Sequence, residues 1–209
     1  ANTLVGTYAG TNITDGPGNT YIGNTAGFTN TTGDYNVAIG HAALYTSQTN
    51  YNTALGANCL RLTTTGGNNV AIGFSAGEGI TTGANNIAIG TNALDATLTG
   101  NYNIAIGNGA GGLKTAGSDC VYIGNQSGAA ATTPDNNTAV GVNTLEDATT
   151  GGGHCAFGAG VLKNVTDSTR NTGIGDAAGL NITSGSNNTM LGADAGRSGS
   201  PGGNRTTAD

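Results

Sequence analysis

Two histidines, three cysteines, six basic and twelve acidic side chains are what this 209-residue chain offers for acid–base, nucleophilic or metal chemistry. His41 and His154 could each act as a proton shuttle or a metal ligand, and Cys59, Cys120 and Cys155 as nucleophiles or zinc ligands. Each of these roles needs partners held beside the group. The carboxylates would have to stand in pairs for acid–base work, or in a column for calcium. Gly-Ile-Gly at Gly173 to Gly175 would cradle a phosphate only at a strand-to-helix junction. Which groups meet is decided by the elements that carry them, and those elements follow from a repeat.

A glycine preceded by a large apolar residue recurs at Gly6, Gly23, Gly40, Gly56, Gly73, Gly90, Gly107, Gly124, Gly141, Gly158, Gly175 and Gly192. The spacing is 17 throughout, except for 16 between Gly40 and Gly56. Aligned on this anchor, the column one before it holds Ile39, Ile72, Ile89, Ile106, Ile123 and Ile174, and the column three before it is β-branched in eleven of twelve repeats. A separation of two residues is the strand period, so both columns lie on one face, which the reading assigns to the core. The mostly small column between them, as at Ala38 and Ala71, then faces out. Four before the anchor stand Asn36, Asn52, Asn69, Asn86, Asn103, Asn137, Asn171 and Asn188, which can hydrogen-bond rung to rung as a ladder. Cys120 and His154 interrupt that column.

A second glycine ten residues past the anchor, as at Gly16, Gly33 and Gly66, marks a second turn expected to need positive φ. Between the turns a second strand is expected. Its bulk comes from Leu44, Leu60, Leu94, Leu145 and Leu162, or, where Gly replaces Leu, from later residues such as Ile13, Phe28, Ile80, Leu113 and Ile182. The expectation is an all-β chain: a single parallel β-solenoid, a flattened β-roll of twelve 17-residue rungs with two short strands per rung. It spans residues 1–204, with 205–209 a tail or a degraded thirteenth rung.

That frame separates the chemical groups. His41 and His154 fall seven rungs apart, roughly 33 Å at the strand spacing, and Cys120 and Cys155 two rungs apart, roughly 9.5 Å and beyond disulfide reach. The aspartates fall at scattered phases, so no calcium ladder forms. Charged residues five past the anchor, Arg61, Glu78 and Lys163 among them, exclude the three-faced apolar coil of hexapeptide acyltransferases. The reading is therefore no catalytic residue, no metal and no cofactor. Tyr35, Tyr51 and Tyr102, each just before the Asn column, form either an exposed contact rank for carbohydrate or another subunit, or a cover over the end of the core. Thr31, Thr64, Thr81, Thr115, Thr132 and Thr149 form a threonine column that an ice-binding solenoid could use.

Composition agrees with assembly rather than chemistry. The chain holds 39 Gly, 34 Thr and 27 Asn against 9% charged residues and a net charge of −6. With no basic patch, nucleic-acid binding is not expected. No run of about 18 apolar residues is present, so no membrane insertion is expected. In stacked rungs a repeated charge would become a repelling column, which accounts for the low charge.

The unit Asn-Val-Ala-Ile-Gly-His-Ala-Ala at Asn36 to Ala43 recurs at Asn69 to Ala76, Asn86 to Ala93 and Asn103 to Ala110. It resembles the head repeat of YadA-like trimeric autotransporter adhesins and the β-roll repeats of bacteriophage tail fibres, over nearly the whole chain. The adhesin repeat is shorter, and this chain carries an extended second turn. The resemblance implies a left-handed parallel β-roll, three chains side by side and a role in surface attachment. Neither end carries an obvious cap, which implies a segment of a longer fibre or end-to-end stacking. The expected function is a non-enzymatic, rigid extracellular structural or adhesive fibre on a virion or cell surface. It would associate with itself as a homotrimer or an end-to-end filament, with a cell-surface glycan or protein as receptor; the alternative is ice binding.

Overall fold

A computed structural model describes residues 1–197; the expected tail at 205–209, and the last part of the range to 204, lie outside the described residues. Among the described residues the chain is an all-β solenoid of twelve parallel three-residue strands whose order in the sheet is their order in the chain. They are β1 (Thr3–Val5), β2 (Thr20–Ile22), β3 (Val37–Ile39), β4 (Thr53–Leu55), β5 (Val70–Ile72), β6 (Ile87–Ile89), β7 (Ile104–Ile106), β8 (Val121–Ile123), β9 (Thr138–Val140), β10 (Cys155–Phe157), β11 (Thr172–Ile174) and β12 (Thr189–Leu191). Thr20 pairs with Val37 and Ile22 with Ile39, so a column in the repeat is a column in space. The 16-residue interval keeps this register, Val37 facing Thr53 and Ile39 facing Leu55. Two compact units divide the chain: Ala1–Asn103, which carries β1 to β6, and Ile104–Asp209, which carries β7 to β12.

The strands face the opposite way from the expectation. From β2 on, the central residue of each is the buried one: in the first unit Tyr21, Ala38, Ala54, Ala71 and Ala88, and in the second Ala105, Tyr122, Ala139 and Ala156, are wholly inaccessible, whereas Leu4 at the centre of β1 is exposed. Ile39, Ile72, Ile89, Ile106, Ile123 and Ile174, expected in the core, are partly or openly exposed; Ile72 is 36% and Ile174 42% exposed. Period two places alternate residues on one face but does not say which face is inside. The decision comes from the interior's width. Opposite the strand, the chain turns back with Ala43 and Leu44, both fully buried, and a rung that narrow takes an alanine from the strand, not an isoleucine.

The same narrowness explains the Gly/Leu alternation in space. In the rungs whose strand centres are Ala38, Ala54, Ala88, Ala139 and Ala156, the fourth residue past the anchor is Leu44, Leu60, Leu94, Leu145 and Leu162 respectively, each fully buried. Where the strand centre is large, that position is Gly. A Cβ on Gly10 would lie 2.7 Å from Leu4, one on Gly196 2.7 Å from Met190, and those on Gly27 and Gly128 would run into the rings of Tyr21 and Tyr122. In these rungs the compensating bulk is the strand centre, whereas Ala71 and Ala105 are followed by Gly77 and Gly111, and there Ile80 and Lys114, three residues on, lie buried instead. Of the later residues expected to supply it, Ile80 does so and is fully buried, whereas Leu113 is 58% exposed.

The expected second strand is not a strand: in every rung the residues after the anchor glycine are turns. Their backbone still bonds from rung to rung, as in Gly27 N–H to Ala43 O (2.9 Å) and Thr29 N–H to Tyr45 O (2.9 Å). The conformation alternates through left-handed residues, for example Ala42 at φ 53° and Leu44 at φ 49°. That excludes an extended ladder. The second-turn glycines Gly16, Gly33 and Gly66 are also not at positive φ. They are small because rungs approach there: a Cβ on Gly16 would lie 2.6 Å from the Gly33 carbonyl oxygen.

Candidate functional site

The Asn column is a hydrogen-bonded ladder buried at the turn before each strand. Each side-chain Oδ1 accepts the backbone N–H of the equivalent residue one rung on: Asn19 from Asn36 (2.8 Å), Asn36 from Asn52 (2.9 Å), Asn52 from Asn69 (2.9 Å), Asn69 from Asn86 (2.9 Å) and Asn86 from Asn103 (2.9 Å). In most rungs Nδ2 donates across the turn to a backbone carbonyl, as from Asn69 to Gly83 (2.9 Å) and from Asn86 to Gly100 (3.0 Å), while Asn52 donates to the Thr49 hydroxyl (2.7 Å). In the second unit Asn137 donates to Gly151 (3.0 Å), Asn171 to Gly185 (2.6 Å), and Asn171 Oδ1 accepts from Asn188 (2.9 Å). One amide thus satisfies a backbone donor and a backbone acceptor that would otherwise be buried unpaired.

The two interruptions preserve this pattern with other chemistry. His154 donates from Nε2 to the Ser168 carbonyl (2.9 Å) and accepts the Asn171 N–H at Nδ1 (3.2 Å). A carbonyl only accepts and an N–H only donates, so the ring is fixed as the Nε2–H tautomer. Burial lowers its pKa from the ordinary 6.5, against a smaller opposing effect of its two backbone partners. At Cys120 the thiol is only a weak donor in the amide's place, its sulfur 3.3 Å from the Pro134 carbonyl oxygen. Lys114, fully buried from the preceding turn, reaches in and gives an Nζ–H to the Pro134 carbonyl (2.8 Å), with Nζ 3.6 Å from the Cys120 sulfur. Pro134 follows Cys120 by fourteen residues, the offset of Gly83 from Asn69, so the lysine fills the missing asparagine's place. Burial lowers the Lys114 pKa and raises that of the neighbouring Tyr122 hydroxyl. The pairing was legible only as a coincidence: the one Lys at its position of the repeat lies six residues before the one Cys in the Asn column.

The remaining sequence candidates separate. Tyr35 and Tyr51 stack with ring centroids 5.6 Å apart and planes parallel, while Tyr102 stands further along the same column, with Asn68 and Asn85 between it and Tyr51. All three are more than half exposed and sit at left-handed φ of 54°, 63° and 57°. The threonine hydroxyls face the next rung: Thr64 donates to the Thr81 carbonyl (3.2 Å), Thr115 to Thr132 (3.4 Å), Thr132 to Thr149 (2.9 Å) and Thr149 to Thr166 (3.1 Å). Thr81 donates to Leu98, and Thr31 to the Gln48 side chain. These hydroxyl protons hold rungs together instead of forming an open donor array. The cysteines form no disulfide, and Cys59 bonds the Gly73 carbonyl (2.6 Å). Among the described residues no group of three His, Cys, Asp or Glu gathers, and no helix is long and apolar enough to cross a membrane.

The chain matches no protein-family model, no curated protein and no solved structure.

Proposed function

We propose that this chain is a non-enzymatic structural or adhesive fibre protein of the extracellular space, working as a solenoid segment that packs laterally against further copies of itself. The observation that carries the reading is the outward face of the strands. In the first unit it presents Val5, Ile22, Val37, Ile39, Leu55, Val70, Ile72, Ile87 and Ile89, and in the second Ile104, Ile106, Ile123, Phe157, Ile174 and Leu191, with no charged residue in either outward column. Val5 and Leu191 are more than half exposed. Soluble monomers rarely leave so regular an aliphatic surface bare. Covering each half-exposed aliphatic side chain contributes on the order of 1 kcal/mol.

The resemblance of the Asn-Val-Ala-Ile-Gly unit to adhesin heads and phage fibres supports the same reading, with a homotrimer as the side-by-side form and a surface glycan or protein as receptor. The buried titratable groups support it too, since His154 and Lys114 serve the ladder. The test is to place lysines on the outward columns, as Ile39→Lys with Ile106→Lys, and image wild type and variant by negative-stain microscopy. Assemblies in the wild type that disappear in a folded variant support the proposal. Single particles in both, or assemblies unaffected by the lysines, count against it.

A further inference from the structure

Within the first unit, a groove of about 390 Å3 opens beside the turns that follow β2 to β5. Its floor is Ala42, buried and left-handed at φ 53°, in a column where the adjoining rungs carry Thr25 at φ 56° and Asn58 at φ 59°. The floor is low because the smallest side chain of that local column sits there.

The walls are preorganised. Tyr45 stacks on Phe28 with centroids 5.2 Å apart, and Phe28 meets Tyr8 edge-on at 6.3 Å, so the tyrosine ring is held in place. One rung on, Arg61 places Nε and Nη2 at 2.8 and 2.7 Å from the same Glu78 oxygen, Oε1. That arrangement leaves Nη1 of Arg61 as a donor and Oε2 of Glu78 as an acceptor, both oriented by the ion pair. The other hydrogen bonds of the lining engage its backbone groups, with the Thr25 hydroxyl on the Asn24 carbonyl and the Thr29 and Thr46 hydroxyls on the Tyr45 and Arg61 carbonyls. The side-chain amides of Asn24 and Asn58 and the His41 imidazole line the groove without a hydrogen bond to other described residues.

We propose that this groove binds an uncharged oligosaccharide. Each sugar hydroxyl both donates and accepts, and the lining supplies groups that do the same: two amides, an imidazole and an oriented donor–acceptor pair. An anion is disfavoured because Arg61, the guanidinium of the lining, is already neutralised by Glu78 at 2.7 Å. The volume lies within the roughly 300–1,000 Å3 of small-molecule sites. The proposal does not rest on the fibre reading, since the groove is built from one unit of one chain.

The experiment is saturation-transfer difference NMR on the whole chain with four neutral disaccharides (cellobiose, lactose, maltose and N,N′-diacetylchitobiose), and with glucuronate and methyl sulfate as charged probes. The method reads binding whether or not the chain assembles. At least one neutral disaccharide is expected to bind with a Kd on the order of 1 mM. Ala42→Gln fills the floor with a residue that the same column accepts at Gln126, where φ is 55°, and weakens that binding at least about tenfold. If Ala42→Gln fails to fold, Asn58→Ser, which introduces the residue that the same column carries at Ser75, removes one amide and is expected to weaken binding as well. No transfer from any neutral disaccharide, transfer from the charged probes alone, or neutral binding unchanged in the folded variants would overturn the assignment.

Discussion

A ladder asparagine such as Asn69 or Asn86 answers two backbone groups at once, so losing it leaves at least two buried polar atoms without partners, each worth roughly 1–3 kcal/mol. His154 does the same work but titrates. Its neutral form is held in the fold because protonating Nδ1 would confront the Asn171 N–H with another donor. The folded pKa is lowered from 6.5, so the unfolded chain takes up the proton first. Stability is therefore full above pH 6.5 and falls as the pH drops below it, with a slope of up to about 1.4 kcal/mol per pH unit. Denaturant melts between pH 7.5 and 5 are expected to show this decline in wild type and to lose most of it in His154→Asn, which restores the repeat's own residue. A decline of equal size in both would remove the histidine as its cause. Lys114 and Cys120 make a second test. Cys120→Asn alone crowds the lysine, and Lys114→Ala alone leaves the Pro134 carbonyl short of its best donor. The double variant rebuilds an ordinary rung, so thermal melts are expected to place it above both single variants. A double variant that melts at the sum of the two losses would show that the residues act independently.

At the scale of the element, the 17-residue period, the strand position and the Asn column were all legible, because each is a constraint that every rung repeats. Which face of the strand is inside was not. Val-Ala-Ile alternates equally well in either orientation, and hydrophobicity favours burying Val37 and Ile39 when a lone rung is considered. The outcome depends on what stands across the interior, namely Leu44 against Ala38 and Gly27 against Tyr21, a pairing visible only when two columns six residues apart are compared. The turns that stand in place of a second strand are hidden for a related reason. Residues with left-handed φ such as Leu44, Leu60 and Leu94 are unusual for that geometry, and nothing in a leucine announces it. The interior complementarity has a direct consequence. Tyr122→Ala opens a cavity and should destabilise by about 3–5 kcal/mol. Gly128→Leu alone collides with the tyrosine ring. Combined, the two changes reproduce the Ala139 and Leu145 rung, and the left-handed backbone at Gly128 (φ 60°) is one that Leu145 already adopts at φ 52°. A chemical-denaturation double-mutant cycle is expected to give a coupling of roughly 0.5–3 kcal/mol in favour of the pair. A coupling near zero would mean that the two columns do not share one volume.

For the whole molecule, the inverted strands change what the composition means. An interior lined by Ala, Gly and a few Leu accounts for the low content of large apolar residues, and the isoleucines and valines that the chain does possess stand mostly outside. Their place is explained if other copies cover them, with uncharged columns preventing like charges from stacking along the sheet. The carboxylates and lysines lie elsewhere, as in the Glu146–Lys163 pair at 3.0 Å, away from the outward strand columns. Self-association through that face is the central claim, and the most direct measurement is the molar mass of the purified chain by sedimentation equilibrium over a wide concentration range. The account predicts a mass that is a multiple of 20.3 kDa and that reverts to 20.3 kDa in the Ile39→Lys, Ile106→Lys variant. A wild-type mass of 20.3 kDa at every concentration would contradict it.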